Sequence, residues 1–243
     1  MKIIKLNAID STNSFLKELS RNSALENFTT VVTKQQTAGK GQMGSKWASE
    51  KHKNLTVSIF IKHKNSRITD QNYLNFAICL AIYNLLLDKK VSQLSIKWPN
   101  DILSANKKIC GVLIENSIKN HQLYSSVIGI GLNVNQQVFS SDLLNATSIK
   151  NSTNKETDLD KLLVLLLKKI KENITLFENE KFELLEKKYL NKLYKKNIPT
   201  TFKDSQNVLF MGIIQGVSKN GKLQILLEDD SIKEFGIKEV SFP

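Results

Sequence analysis

The sequence predicts an α+β fold, a mixed and largely antiparallel sheet flanked by helices, with a small β-barrel at the C-terminus. Three features point there. Short β-branched runs recur between Ile3 and Leu132, separated by turns or by helical stretches. The glycine-rich stretch Gln35 to Ser49 leads from one strand directly into another, a strand-to-strand connection and not the strand-to-helix turn of a dinucleotide fingerprint. After Asn197-Ile198-Pro199 the pattern changes to short strands split by tight turns, so residues 1–196 and 197–243 divide into a larger and a smaller domain.

In chain order, Ile3 to Ile9 reads as a strand, and Asp10-Ser11-Thr12-Asn13 supplies capping side chains ahead of Phe15, Leu16 and Leu19 at helical spacing. Spare hydroxyl and amide groups at that helix start either cap it or bind a small polar ligand. Thr29 to Lys34 and Leu55 to Ile61 are strands on either side of the glycine loop. Asp70 to Leu87 has the length and core stripe of a buried helix. Leu94 to Trp98 is a strand stopped by Pro99; Asn100-Asp101 turns the chain into Ile102-Leu103, and a second turn at Asn106-Lys107-Lys108 leads into Ile109 to Glu115. Asp101 and Lys108 thereby fall on neighbouring antiparallel segments within reach of one site. Tyr124 to Leu132 is a further buried strand, and Gly129 and Gly131 leave one of its faces without side chains. Asn145 to Lys155 reads as a polar connection, Thr157 and Asp160 as a capping box opening a helix with Leu162, Leu166, Ile170, Ile174 and Phe177 on one face, and Lys181 to Lys195 as a second helix. Asn207 to Val217, Leu223 to Leu227 and Ile232 to Phe235 complete the chain as strands.

The loop holds Gly39, Gly41 and Gly44 among Lys40 and Lys46 and closes on Trp47. Glycines so spaced can take positive φ and turn N–H groups toward a phosphate, lysines add charge, and an indole offers a flat face to a base; a mobile surface hairpin with solvated lysines is the plainer alternative. It is neither a Walker loop, since Gln42 follows Gly41, nor a dinucleotide fingerprint.

Composition narrows the classes. The 243 residues, 41% hydrophobic, suffice for a full core. The N-terminal residues lack a signal peptide's apolar core, and no apolar run approaches the ~20 residues of a membrane span, so a cytoplasmic protein without a membrane partner is expected. Cys79 and Cys110, both in apolar stretches, read as buried free thiols. The formal charge of +12 is nearly all lysine, with Arg21 and Arg67 the only arginines, which suits an anionic nucleotide or an acidic partner better than base-edge readout. His52, His63 and His121 have no ligand-like spacing and do not suggest a triad or a metal hydrolase.

Taken together, Asp10-Ser11-Thr12-Asn13, the loop around Gly39-Lys40-Gly41, Lys97-Trp98-Pro99-Asn100-Asp101 with Lys107-Lys108-Ile109-Cys110-Gly111, and Gly129-Ile130-Gly131-Leu132-Asn133 resemble, in order and spacing, the biotin protein ligases. The likeness runs over essentially the whole chain. It implies a class II synthetase-like catalytic domain of the biotin–lipoate ligase type and an SH3-like barrel. It also implies ATP and biotin as substrates with Mg²⁺ present, biotinyl-5′-adenylate as intermediate, and a lysine of a biotin carboxyl carrier protein domain as acceptor. By the same resemblance Ser11, Thr12, Asn13 and Gln36 begin the biotin site. Lys40, Gly41, Gln42 and Lys108 continue the biotin site, with Lys40 beside Gly41 over the acyl phosphate and with Lys108 and Lys40 as the catalytic cations. Gly111, Gly129 and Gly131 line the biotin channel. Gly39, Trp47, Asn100, Asp101 and Asn133 join Lys40, Gly41 and Lys108 on the nucleotide side, with Asp101 toward the metal.

The loop departs from the family's common Gly-Arg-Gly-Arg: here it is Gly39-Lys40-Gly41-Gln42, with Ser45 where another arginine is common. Lysine lacks arginine's planar fork and Gln42 lacks the charge, so retention of the adenylate would be weaker or rest on Lys46 or Lys108. The motif begins at Asp10, so a monofunctional enzyme without operator binding is expected, as monomer or homodimer. Two alternatives stand: a lipoyl or octanoyl ligase of the same superfamily, and a lysine-rich nucleic-acid-binding protein.

Overall fold

The computed structural model describes residues 2–64, 66–143 and 145–243. A seven-stranded sheet is built from β1 (Ile3–Leu6), β2 (Thr30–Thr33), β3 (Leu55–Lys62), β4 (Leu94–Lys97), β5 (Asp101–Ser104), β6 (Lys107–Lys119) and β7 (Gln122–Leu132), in the order β1-β2-β3-β7-β6-β5-β4. Among the described strands of this sheet β1 and β2 pair in parallel, and the other strand pairs are antiparallel.

Alternation along β3 sorts the two faces. Val57, Ile59 and Ile61 join the main core under α2 (Gln71–Asp88), while Phe60 joins Leu16, Val31 and Val127 in a second cluster beneath α1 (Thr12–Asn22). Helix α2 carries buried residues nearly all round because α4 (Leu159–Glu178) packs on it, and α5 (Phe182–Leu190) covers Phe76 with a stacked Tyr189 ring 4.1 Å away. The thicker helical layer thus supports one face. The other, beneath α1 and the glycine loop, is the one left open to a ligand.

The C-terminal segment forms a second, five-stranded antiparallel sheet from β8 (Pro199–Asp204), β9 (Leu209–Val217), β10 (Leu223–Leu226), β11 (Ile232–Phe235) and β12 (Val240–Ser241), ordered β11-β10-β9-β8-β12. Strands β8 and β12 went unread: the first opens on a proline and the second is two residues long. Three further expectations are corrected. The connection after Asn145 contains a short helix, α3 (Ile149–Thr153), capped by the Ser148 side chain. Helix α4 is capped by Asp158, whose carboxylate accepts from the Lys161 N–H at 3.0 Å, while the Thr157 N–H bonds to Asn135 Oδ1. Helix α5 stops at Leu190 because Lys192 and Tyr194 pair with Ile96, covering the open edge of β4.

Cys79 and Cys110 are buried free thiols, and burial pushes both above the ordinary thiol range. Among the described residues no helix is long and apolar enough to cross a membrane.

His63 is buried at 7% exposure, edge-on to Phe177. The Ser126 hydroxyl donates to Asn116 Oδ1, so it accepts from His63 Nε2–H at 2.8 Å and leaves Nδ1 buried without a partner. Burial pushes the imidazole from 6.5 to about 4. The unfolded chain therefore takes up this proton first: the contribution to stability is whole above pH 6.5 and is lost as pH falls toward 4. Wild type is expected to lose about 2 kcal/mol more than His63→Gln between pH 7.5 and 5 in denaturant titrations, and equal losses would contradict this assignment.

Candidate active site

The register of the large sheet puts three residue rows on the face beneath α1. Thr56, Gly131, Gly111 and Asp101 form one row, Ser58, Gly129 and Leu113 the next, and Phe60, Val127 and Glu115 the third. The first two are almost bare, and two side chains lie directly on the exposed backbone. Asn13 covers Gly129, and the Trp47 indole covers Gly131; a Cβ at either glycine would overlap them. Gly131 is thus roofed by the indole that was expected near adenine.

Lys108 reaches this face through a bulge. Three residues from Gly111, it would point to the opposite side of a regular strand. A register shift pairs Ile102 with Cys110 but Leu103 with Lys108, so Ile109 and Cys110 both enter the core and Lys108 returns to the side of Gly111 and Asp101. Its Nζ is 2.7 Å from Asp101 Oδ1 and 5.7 Å from the Trp47 ring centroid.

The glycine loop closes as a small hairpin, with Gly41 N–H to Ser45 O at 2.7 Å and Trp47 N–H to Gly39 O at 2.9 Å. Positive φ occurs only at Met43 and Gly44 on its tip. Gly39 and Gly41 serve close approach instead, since a Cβ would overlap the Trp47 carbonyl or the Ser45 hydroxyl. Lys40 Nζ donates to Ser14 Oγ at 2.8 Å, tying the loop to α1, and Lys238 Nζ donates to Met43 O at 2.7 Å, tying it to the C-terminal sheet.

At the helix end, Ser11 both caps α1 and lines the cavity, so the two sequence readings of this run are not exclusive. Gln36 Oε1 accepts from the Thr12 N–H at 2.8 Å and the Thr12 hydroxyl at 3.0 Å. Ser58 Oγ stands 2.7 Å from Thr12 Oγ1 and 2.5 Å from Asn13 Oδ1. These three oxygen–oxygen contacts have only the two hydroxyl hydrogens of Thr12 and Ser58 between them. The cluster is one hydrogen short.

These elements enclose a cavity of about 290 Å³. Ser11, Thr12, Asn13, Gln36, Lys40, Gly41, Gln42, Trp47, Asn100, Asp101, Lys108, Gly111, Gly129 and Gly131 all line it. Two expected residues do not. Gly39 lies on the outer side of the loop, facing a groove shared with Leu113 and Glu115, and Asn133 is 4% exposed with its amide spent on the Thr147 carbonyl at 3.0 Å. Asn100 reaches the cavity with its amide N–H₂ directed at the Val112 carbonyl.

Three residues at the cavity carried no assignment from the sequence and matter to it: Lys97 and Lys238 line it, and Ser58 is buried beneath the lining. Lys97 sits in the quoted Lys-Trp-Pro-Asn-Asp run; burial holds its ammonium below the ordinary lysine range, with Asp101 opposing and Lys108 adding to that shift. Ser58 carried no signal beyond strand alternation. Lys238 arrives from the turn between β11 and β12, which no local pattern announces. Lys40, Lys46, Lys97, Lys108 and Lys238 together make the lining strongly cationic around the single carboxylate of Asp101. The Trp47 Nε1–H is buried with no hydrogen-bond partner, a donor still open to a ligand oxygen.

Gly131→Ala is expected to lift the indole off the sheet. In a Trp98→Phe background, the Trp47 emission should shift to longer wavelength in the alanine variant; an unchanged spectrum would contradict the contact.

The family model described as "Biotin/lipoate A/B protein ligase family" matches residues 6–133. A bifunctional ligase/repressor BirA of Bacillus spizizenii is 33% identical over 159 residues, 64% of this chain and 48% of that protein. A biotin–[acetyl-CoA-carboxylase] ligase of Paracoccus denitrificans is 29% identical over 127 residues, 51% of each. The match therefore spans about half the length of each of these two relatives. Among solved structures, the biotin protein ligase of Aquifex aeolicus in complex with biotin and ATP superposes with a TM-score of 0.80 at 29% identity, covering 99% of this chain and 97% of that one. With the family model matching more than half its length, the chain belongs to the biotin/lipoate A/B protein ligase family.

Proposed function

We propose that this protein is a cytoplasmic biotin protein ligase, which joins biotin to ATP as biotinyl-5′-adenylate and passes the biotinyl group to a lysine of a carboxylase's carrier domain. The observation that carries the reading is that one cavity has a hydrogen-poor hydroxyl–amide cluster at one end and converging lysines at the other. A cyclic urea offers the N–H donors that the cluster lacks. The dithiolane of lipoate and the chain of octanoate offer none, which favours biotin over the sister substrates. The ligands named for the Aquifex complex agree with both ends.

In the first step a biotin carboxylate oxygen attacks the α-phosphorus of ATP, and the bond to the β-phosphate oxygen breaks with departure of pyrophosphate. In the second the neutral amine of the acceptor lysine attacks the acyl carbon, AMP leaves, and the amine nitrogen gives up a proton. Negative charge builds first on phosphate and then on acyl oxygens, and fixed cations already in place stabilise it without reorganisation. Lys108, held by Asp101 and set over Gly111, suits that position, with Lys40 approaching from the loop. The open Trp47 Nε1–H would serve a ligand oxygen beside Lys108.

The cavity also fits a Mg²⁺–nucleotide in the usual manner, with the phosphates and water as the main ligands and Asp101 the one lining carboxylate. Such an ion neutralises phosphate charge. Residues 1–196 would carry this chemistry and residues 197–243 would brace the loop and the Trp98 turn, where Trp98 Nε1 donates to Gly221 O at 3.0 Å.

ATP–pyrophosphate exchange with biotin, lipoate, octanoate and no acid tests the proposal. Exchange is expected with biotin alone, falling about 10²- to 10³-fold in Lys108→Ala. Exchange with only lipoate or octanoate, or with none of the three, would overturn it.

A further inference from the structure

Glu115 lies outside the cavity and touches none of the residues expected to meet phosphate, yet it is tied to Asn13. On α1, Asn13 and Lys17 are one turn apart and both face β6. Lys17 Nζ is 2.7 Å from Glu115 Oε1, and Asn13 Nδ2 donates to Glu115 Oε2 at 3.1 Å and, more weakly, to Leu113 O at 3.4 Å. Asn13 is 3% exposed and pressed onto Gly129, so its amide has no water to fall back on.

An ionised carboxylate accepts hydrogen bonds and donates none. Facing Glu115, Asn13 can present only its N–H₂, so its Oδ1 must point at Ser58. A flipped amide would set two oxygens against each other at the glutamate and offer Ser58 a second donor. That donor would supply the hydrogen missing from the cluster, and with it remove the demand for a ligand N–H. The charge is secured locally: burial pushes the Glu115 carboxyl upward, but the hydrogen bonds from Lys17 and Asn13, with the nearby charges of Lys17 and Lys40, outweigh it and hold the group below its ordinary range.

We propose that Glu115, paired with Lys17, is a positioning residue that fixes the Asn13 amide and thereby keeps the Thr12–Ser58–Asn13 cluster one hydrogen short, tuned to a ligand that donates N–H. Glu115 acts through Asn13 and meets no substrate itself. The inference deepens the biotin reading and rests on it. Its effect is expected on one substrate, because the cluster sits on the Gly129 row while Lys108 and Asp101 sit on the neighbouring Gly131–Gly111 row.

The test is biotin-dependent ATP–pyrophosphate exchange by the full chain, comparing wild type, Glu115→Gln, Lys17→Met and Lys17→Arg, with unfolding midpoints measured alongside. Gln removes the charge and can turn its own N–H₂ toward Asn13, permitting the flip. Glu115→Gln is expected to raise KM for biotin about tenfold or more, with KM for ATP and the saturating rate within about twofold of wild type, and Lys17→Met, which leaves the carboxylate ionised but loosely held, should raise KM for biotin by less. Lys17→Arg, which keeps the charge, should restore KM for biotin. A KM for biotin within twofold of wild type in Glu115→Gln, or an equal rise in both KM values, would overturn the positioning role while leaving the biotin reading intact. Absence of biotin-dependent exchange in the wild-type chain would overturn both.

Discussion

The site depends on one steric constraint: backbone without side chains where β7 and β6 cross beneath α1. Gly129 lets Asn13 lie flat on the sheet, and Gly131 does the same for Trp47. A methyl at the first position would push the helix start away from Ser58; at the second it would push the loop away from Lys108. The hydroxyl–amide cluster and the lysine cluster thus share a floor, and each is positioned by what that floor omits.

The rest of the molecule keeps the floor flat and the roof near. The bulge at Ile109 converts an unfavourable spacing into a shared face, placing Lys108 beside Asp101 while Ile109 and Cys110 anchor the strand in the core. Helices α2 and α4 stiffen the far side of the sheet. The second sheet reaches back through Lys238 to the loop tip, and Gly221 takes the Trp98 indole N–H, so residues far apart in sequence hold both walls of one cavity.

Much of this was legible in the residues. Alternation and β-branching gave the strands of the large sheet, because burial of one face leaves a period-two pattern; the capping run and the paired glycines announced their own contacts. The loop was read correctly as a strand-to-strand connection, but for the wrong backbone reason, since Gly39 and Gly41 are required by close approach and not by positive φ. Alternation groups Asn133 with Gly129 and Gly131, yet the strand ends at Leu132 and beyond it the Asn133 amide is spent on the Thr147 carbonyl. Ser58, Glu115 and Lys238 lay beyond sequence reasoning: each matters through a partner at least 40 residues away, and such pairings are fixed only when the sheet closes.

The central claim is that the cavity selects its acid by hydrogen-bond donors and not by chain length or apolar fit. Titration calorimetry of the nucleotide-free protein with biotin and with lipoate tests it directly. The structure predicts saturable heat with biotin and at least about a hundredfold weaker binding of lipoate, as expected where buried polar groups are left unpaired. Equal affinity for the two acids, or tighter binding of lipoate, would contradict it.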